Sequence, residues 1–246
     1  MTEEPFRWLE AVANRREYVA EQLKGGAPVF AAALLDGVLL AGVGGGSSKV
    51  FEIFDRQAMA ALGHPADIEK IRQTIIDAAH VEAFTRAPED VSLRRLVGFG
   101  LSPQLKTNFE QLFSAPFLAE LLLAELGPGP ESDVFFRLRF DGSFEVRRGG
   151  AHVAAPSKES EATAQKWLNS VVSPRTHLSD AVDFMLQGWW MASLEVFPEV
   201  IPPLEERQKG WRAALGEKIV EVGWLDRRGV RPSRYQALTL SELGLT

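Results

Sequence analysis

Two Asp-Gly dipeptides, Asp36-Gly37 and Asp141-Gly142, each stand between two strand-like runs, and this arrangement constrains the chain more than any other feature. Such a dipeptide accepts the positive φ angles of a tight hairpin turn. VFAAALL and VLLAGV around the first therefore read as two buried strands, and VFFRLRF and SFEVRR, alternating apolar and polar around the second, as a further hairpin. Gly44, Gly45 and Gly46 make a loop, and VFEIFD from Val50 reads as a short strand or sheet edge.

Helical spacing separates these strand blocks. Within residues 5–24 the apolar positions Phe6, Leu9, Val12, Val19 and Leu23 recur with a helical period, Pro5 suits a first turn, and Gly25-Gly26 ends the run. Ile68, Ile71, Ile75, Ile76 and Ala79 form one face of an amphipathic helix over 67–84. A second helix is expected within 93–113, with Leu105, Phe109, Leu112 and Phe113 as its apolar face, and two later ones over 160–171 and 178–194. Pro202-Pro203 then breaks the pattern and opens a polar segment to Gly216, before KIVEVGWLD and a short strand near 235–240. FLAELLLAEL, residues 117–126, is ambiguous: its Leu-Ala-Glu composition favours helix, while its length and the preceding Pro116 permit a buried strand. Blocks segregated in this way describe an α+β protein with strand layers packed between helix layers, not the alternation of a parallel sheet.

At 246 residues the chain suits a single domain, and with 46% hydrophobic and 24% charged residues it is an ordinary soluble sequence without a membrane-spanning apolar run. The acidic start, MTEEPFRWLE, lacks the features of a secretory signal, so a cytoplasmic location is expected. A net charge of −6, with basic doublets dispersed among acids, argues against nucleic-acid binding. The absence of cysteine excludes disulfides, thiolate nucleophiles and the commonest zinc cages.

Catalytic motifs are weak. The run from Gly42 to Lys49 superficially resembles a phosphate-binding loop, but Ser48 precedes the lysine, Val50 follows it, and a strand-like segment stands where a helix should begin. His64, His80, His152 and His177 are too dispersed for a helical metal motif or a recognisable triad, and read as surface or partly buried residues. No G-x-S-x-G elbow occurs, and Trp189-Trp190 reads as core or subunit packing. No cofactor and no metal are expected.

The segment EYVAEQLKGGAPVFAAALLDGVLLAG, residues 17–42, resembles the entry segment of proteasome α-type subunits: a tyrosine-bearing helix, Lys-Gly, a strand, a turn and a Gly-Val-Leu second strand. Lys49-Val50 with Phe54-Asp55, Gly63 after the next strand, IEKIRQTIIDAAHVEAFTRAPEDVSLRRL, the hairpin RFDGSFE and the terminal VGWLDRR and RYQAL follow in the order of that family. The resemblance covers nearly the whole chain.

It implies the four-layer αββα sandwich shared with N-terminal-nucleophile hydrolases, and so a strand for FLAELLLAEL. It implies one domain over 1–246: an outer-face helix at 1–25 and a core at 26–246 with an added segment at 197–216. Catalytic β-type relatives begin their first strand with a threonine whose own amine serves as base. Here that position falls at Ala27, before Pro28; the acid near the end of the second strand is replaced by about Val43; and Thr2 lies a whole helix away. The resemblance therefore implies a non-catalytic subunit of a bacterial 20S proteasome, in a heptameric outer ring that gates entry of unfolded protein substrates. Its partners would be copies of itself, a threonine-nucleophile β-type subunit, and an ATPase or other activator whose C-terminus docks at Lys49, Gly63, Lys24 and Gly25. The alternative left open is a divergent bacterial homologue that assembles without a β chain.

Overall fold

The computed structural model describes residues 4–194 and 201–245, with side chains from Arg7. The chain runs α1 (Glu4–Leu23), β1 (Val29–Leu34), β2 (Gly37–Gly44), β3 (Val50–Phe54), β4 (Gln57–Gly63), α2 (Pro65–Thr85), α3 (Leu93–Arg95) and, through a π-helical stretch, α4 (Ser102–Glu110). Then follow β5 (Ala119–Glu125), β6 (Val134–Leu138), β7 (Phe144–Arg148), β8 (Ala151–Ala154), α5 (Lys158–Val171), α6 (Leu178–Ala192), α7 (Leu204–Leu215), β9 (Ile219–Asp226) and β10 (Tyr235–Leu238). The strands form two antiparallel five-stranded sheets, ordered β10-β9-β2-β1-β8 and β3-β4-β5-β6-β7.

Alternation along each strand builds the layers, because successive side chains leave opposite faces of a sheet. Val29, Ala31 and Ala33 of β1 with Val38 and Leu40 of β2 meet Ala58, Ala60, Leu122 and Phe135 of the second sheet. Phe30, Ala32 and Leu34 with Leu39, Ala41 and Val43 turn the other way, onto Trp167, Leu168, Met185 and Trp189 of α5 and α6. The outer face of the second sheet, with Met59, Leu121, Leu123 and Phe136, packs on Ile68, Ile71 and Ile75 of α2 and Leu105 of α4. The result is the αββα sandwich, with α1 closing one end of the space between the sheets through Val19 and Leu23. The chain passes between the sheets after β2 and again after β7, so the second sheet with its helices is one continuous stretch set inside the first.

FLAELLLAEL is strand β5, as the family resemblance implies and against its local composition. It lies in the middle of its sheet, with Leu121 and Leu123 buried on one face and Leu122 and Ala124 on the other. Burial on both faces explains the unbroken apolar run and overrides helix propensity. Three expectations need correction. The helix expected to reach 113 ends at Glu110, which leaves Phe113 fully exposed and not on an apolar face. His152 is buried, stacked 4.6 Å from Phe135. The polar segment after Pro203 is helix α7, held on α6 by two contacts: Trp211 is buried and its indole N–H donates to Asp183 Oδ1 at 3.0 Å, and Arg207 Nε donates to Gln187 Oε1 at 2.7 Å. Residues 197–200 of the proposed added segment, and Thr2, lie outside the described residues.

The end of the sandwich at the Asp36-Gly37 turn is fastened by Arg227. Its guanidinium donates to both oxygens of the fully buried Asp133, at 2.9 and 2.7 Å, and to the carbonyls of Leu34, Leu35 and Gly127. All of its N–H groups are used.

Candidate functional site

At the opposite end, β2 stops at Gly44 and the exposed loop 45–48 leads to Lys49, the residue before β3. The Lys49 carbonyl accepts from Ala61 N–H at 2.8 Å, which aligns β3 on β4. Its own N–H and that of Val50 both donate to Glu221 Oε2, at 2.9 and 3.1 Å. Glu221 lies on β9 opposite Gly42, so one carboxylate of the first sheet holds the start of the second.

The glycines of the loop-like motif serve this lysine. A Cβ at Gly42 would stand 3.3 Å from Lys49 Cβ, and one at Gly44 would stand 3.2 Å from Lys49 Cε. The aliphatic stem therefore lies along a strip of β2 that has no side chains, and a strand, not a helix, follows it. A Cβ at Gly223 of β9 would meet Val50 Cγ1 at 2.7 Å and the Tyr235 ring at 2.8 Å, extending the strip. Burial lowers the Lys49 pKa from its ordinary 10.5, and the Glu221 charge opposes that shift. Burial, then the charges of Glu221 and Glu52, push the Tyr235 hydroxyl up to about 12. Among the described residues the Lys49 ammonium has no hydrogen bond or ion pair of its own.

Gly63 lies two residues beyond Ala61 on β4. Its φ is +132°, and a Cβ there would come within 2.0 Å of the Leu118 carbonyl oxygen, so only glycine fits. Lys24 and Gly25 follow α1 at the same end; Lys24 is exposed and ion-paired with Glu21, and Gly25 has open space around it. Gly26 approaches Leu62, one residue before Gly63. Lys49 and Gly63 are thus brought close through the β3–β4 ladder, whereas Lys24 points outward. Sequence reading missed Glu221; its signal was the one acid in the otherwise apolar run from Ile219 to Leu225.

The start of β1, the place of a nucleophile in N-terminal-nucleophile enzymes, is Val29, preceded by Ala27 and the buried Pro28. Val43 is buried in the layer beneath α5 and α6. Neither position carries a group that could attack a carbonyl or take up a proton.

A polar cluster lies further along the space between the sheets. Arg137 Nη2 donates to Glu120 and, at 2.9 Å, to Glu161 Oε2 of α5. Desolvation raises the Glu120 pKa and lowers that of His152, whose Nε2 lies 2.7 Å from the Gly149 carbonyl. No helix among the described residues is long and apolar enough to cross a membrane.

No protein-family model matches the chain. Individual proteins do. A protein from Actinosynnema mirum named proteasome subunit alpha is 33% identical over 159 residues, 64% of this chain and 59% of that protein. Its namesake in Geodermatophilus obscurus is 28% identical over 92% of this chain and 73% of its own length, and that of Pseudarthrobacter chlorophenolicus 29% identical over 96% and 94%. The chain spans about three fifths of the length of several of the relatives it matches.

Proposed function

This chain is a relative of bacterial proteasome α-type subunits, and on that premise we propose that it is the non-catalytic subunit of a 20S outer ring that gates the proteolytic chamber and docks its activator. The observation that carries this reading is the end-to-end match, 96% of this chain against 94% of the Pseudarthrobacter chlorophenolicus protein. The blunt start of β1 supports it, since Ala27 and Pro28 stand where a catalytic relative would need a threonine with a free amine. In this reading the ring is heptameric, cytoplasmic, paired with a threonine-nucleophile β-type ring, and passes unfolded proteins to it.

Lys49, with Gly63, Lys24 and Gly25 around it, forms one wall of the pocket between neighbours that takes the C-terminal carboxylate of an ATPase or other activator. A half-buried ammonium with no partner among the described residues suits that anion, and a charge-assisted hydrogen bond there contributes about 1–3 kcal/mol. Helix α7, the described helix of the added segment, adds a contact surface to the outer helix layer.

Native mass spectrometry and negative-stain imaging of the chain, alone and co-expressed with a β-type subunit, test the assignment alongside a peptidase assay. Stacked rings whose peptidase activity needs the partner's threonine are expected. Rings of this chain alone that never accept a β ring, or cleavage by this chain alone, would overturn it. Lys49→Ala is expected to abolish activator stimulation and leave the rings intact; unchanged stimulation removes the pocket assignment.

A further inference from the structure

We propose that Glu221 is a positioning residue for Lys49, fixing where its side chain leaves the backbone and serving as its counter-charge while the docking site is empty. This rests on the docking reading above and names the group that regulates that site.

The geometry comes from three strands. Glu221 lies 172 residues from Lys49 in sequence, yet the same oxygen, Oε2, accepts from the N–H groups of both Lys49 and Val50. Those two donors fix the backbone at the point where the Lys49 side chain departs. The side-chain-free strip of Gly42 and Gly44 then sets the direction of its stem. The ammonium ends half-buried with no hydrogen-bond partner among the described residues, an arrangement that favours the neutral amine unless a negative charge lies nearby. Glu221 supplies that charge from β9. Among the described residues Tyr235 of β10, which stays protonated at neutral pH, faces Glu221, and Glu52 of β3, which accepts from Ser233 Oγ at 2.5 Å, faces Tyr235. An arriving carboxylate would take over the ammonium while Glu221 kept its two backbone donors. Glu221 thus opposes the loss of the lysine's charge on burial and also competes weakly with the ligand, so its removal acts in opposite directions at the two ends of the pH range.

The test uses the assembled protein as wild type, Glu221→Gln and Glu221→Asp. Glutamine keeps an acceptor for both backbone donors and removes the charge; aspartate keeps the charge on a shorter arm. Acetylation of Lys49 by acetic anhydride, read by peptide mapping across pH, reports its free amine without any ligand. Glu221→Gln is expected to move the rise of acetylation to lower pH, with severalfold more modification at neutral pH, and Glu221→Asp to stay with the wild type. Binding of a peptide with a free C-terminal carboxylate, against its amidated twin, is expected to be tighter in Glu221→Gln at neutral and mildly acidic pH, and its alkaline loss is expected to begin at a lower pH than in the wild type. An acetylation profile that does not move overturns the proposal. So does a uniform loss of peptide binding with an unmoved alkaline limb, the mark of a strand tie alone, or an aspartate variant displaced as far as glutamine. Should Glu221→Gln fail to assemble, the wild-type acetylation profile is taken across ionic strength: a rise that moves to lower pH as salt screens the Glu221 charge supports the pairing, and one that does not move overturns it. If Lys49→Ala leaves peptide binding unchanged, the docking reading falls, and the acetylation arm still judges the pairing of Glu221 with Lys49.

Discussion

The two ends of the sandwich join the sheets with the same chemistry and different accounting. At the Asp36-Gly37 end, every N–H of the Arg227 guanidinium has an acceptor and both oxygens of the buried Asp133 are engaged. At the Lys49 end, a carboxylate from the first sheet holds the backbone of the second, but the lysine charge beside it is left over. A closed set of donors and acceptors gives a rigid joint. An open one gives a joint that can still bind something.

Breaking the closed end should have the largest effect. Asp133→Ala removes the fully buried counter-ion of the partly buried Arg227 guanidinium, and is expected to cost about 3 kcal/mol in urea unfolding. Glu221→Gln at the open end, which keeps its acceptor, should cost less than about 1.5 kcal/mol in the same measurement. Equal losses would erase the distinction.

His152 sharpens the comparison from the middle of the sandwich. Burial holds its pKa below the ordinary 6.5, so from that value down to the folded pKa the unfolded chain binds more protons than the folded one. Stability therefore falls as pH falls through this window. His152→Phe should remove that part of the acid sensitivity, visible as a smaller difference between unfolding midpoints at neutral and mildly acidic pH. An unchanged difference would mean that the imidazole is not desolvated.

The smallest effect is expected at Lys49 itself. Its folded pKa lies below 10.5, so in the alkaline window between the two values the unfolded chain again binds more protons and stability rises with pH. Lys49→Met should flatten that rise and leave stability at neutral pH unchanged or higher, within about 1 kcal/mol. A marked loss would show that the lysine stabilises its own end of the sandwich.

How much of this was legible in the sequence depended on whether the signal was local. The hairpins at Asp36-Gly37 and Asp141-Gly142 and the α2 face of Ile68, Ile71 and Ile75 carry their period and turn chemistry in neighbouring residues. β5 does not: a run buried on both faces has no alternation to read, and the order of elements shared with a family supplied the strand. Helix α7 was missed because its contacts with α6, Trp211 to Asp183 and Arg207 to Gln187, join residues 20 to 28 positions apart that carry no shared local pattern. For the site, Lys49 and Gly63 came from the resemblance and not from any local motif, and the glycine strip beneath Lys49 first read as a phosphate-loop decoy. Glu221 could not be linked to Lys49 from sequence, since their contact spans two sheets.

The way the second sheet is set inside the first has a consequence for the order of folding. β3 to β7 and the helices α2 to α4 are contiguous in the chain, so their sheet can assemble from nearby pairings. The β1–β2 hairpin, by contrast, must wait for β8 and β9: Gly42 pairs locally with Val29, but its partner on the other side is Glu221. Pairings of such long sequence separation form late. A chain emerging from the ribosome therefore carries, for most of its synthesis, an apolar hairpin with both edges open to strands from other chains. Pulsed hydrogen exchange should find the amides joining β2 to β9 among the last to gain protection, which makes completion of the first sheet the vulnerable step in the biogenesis of the subunit.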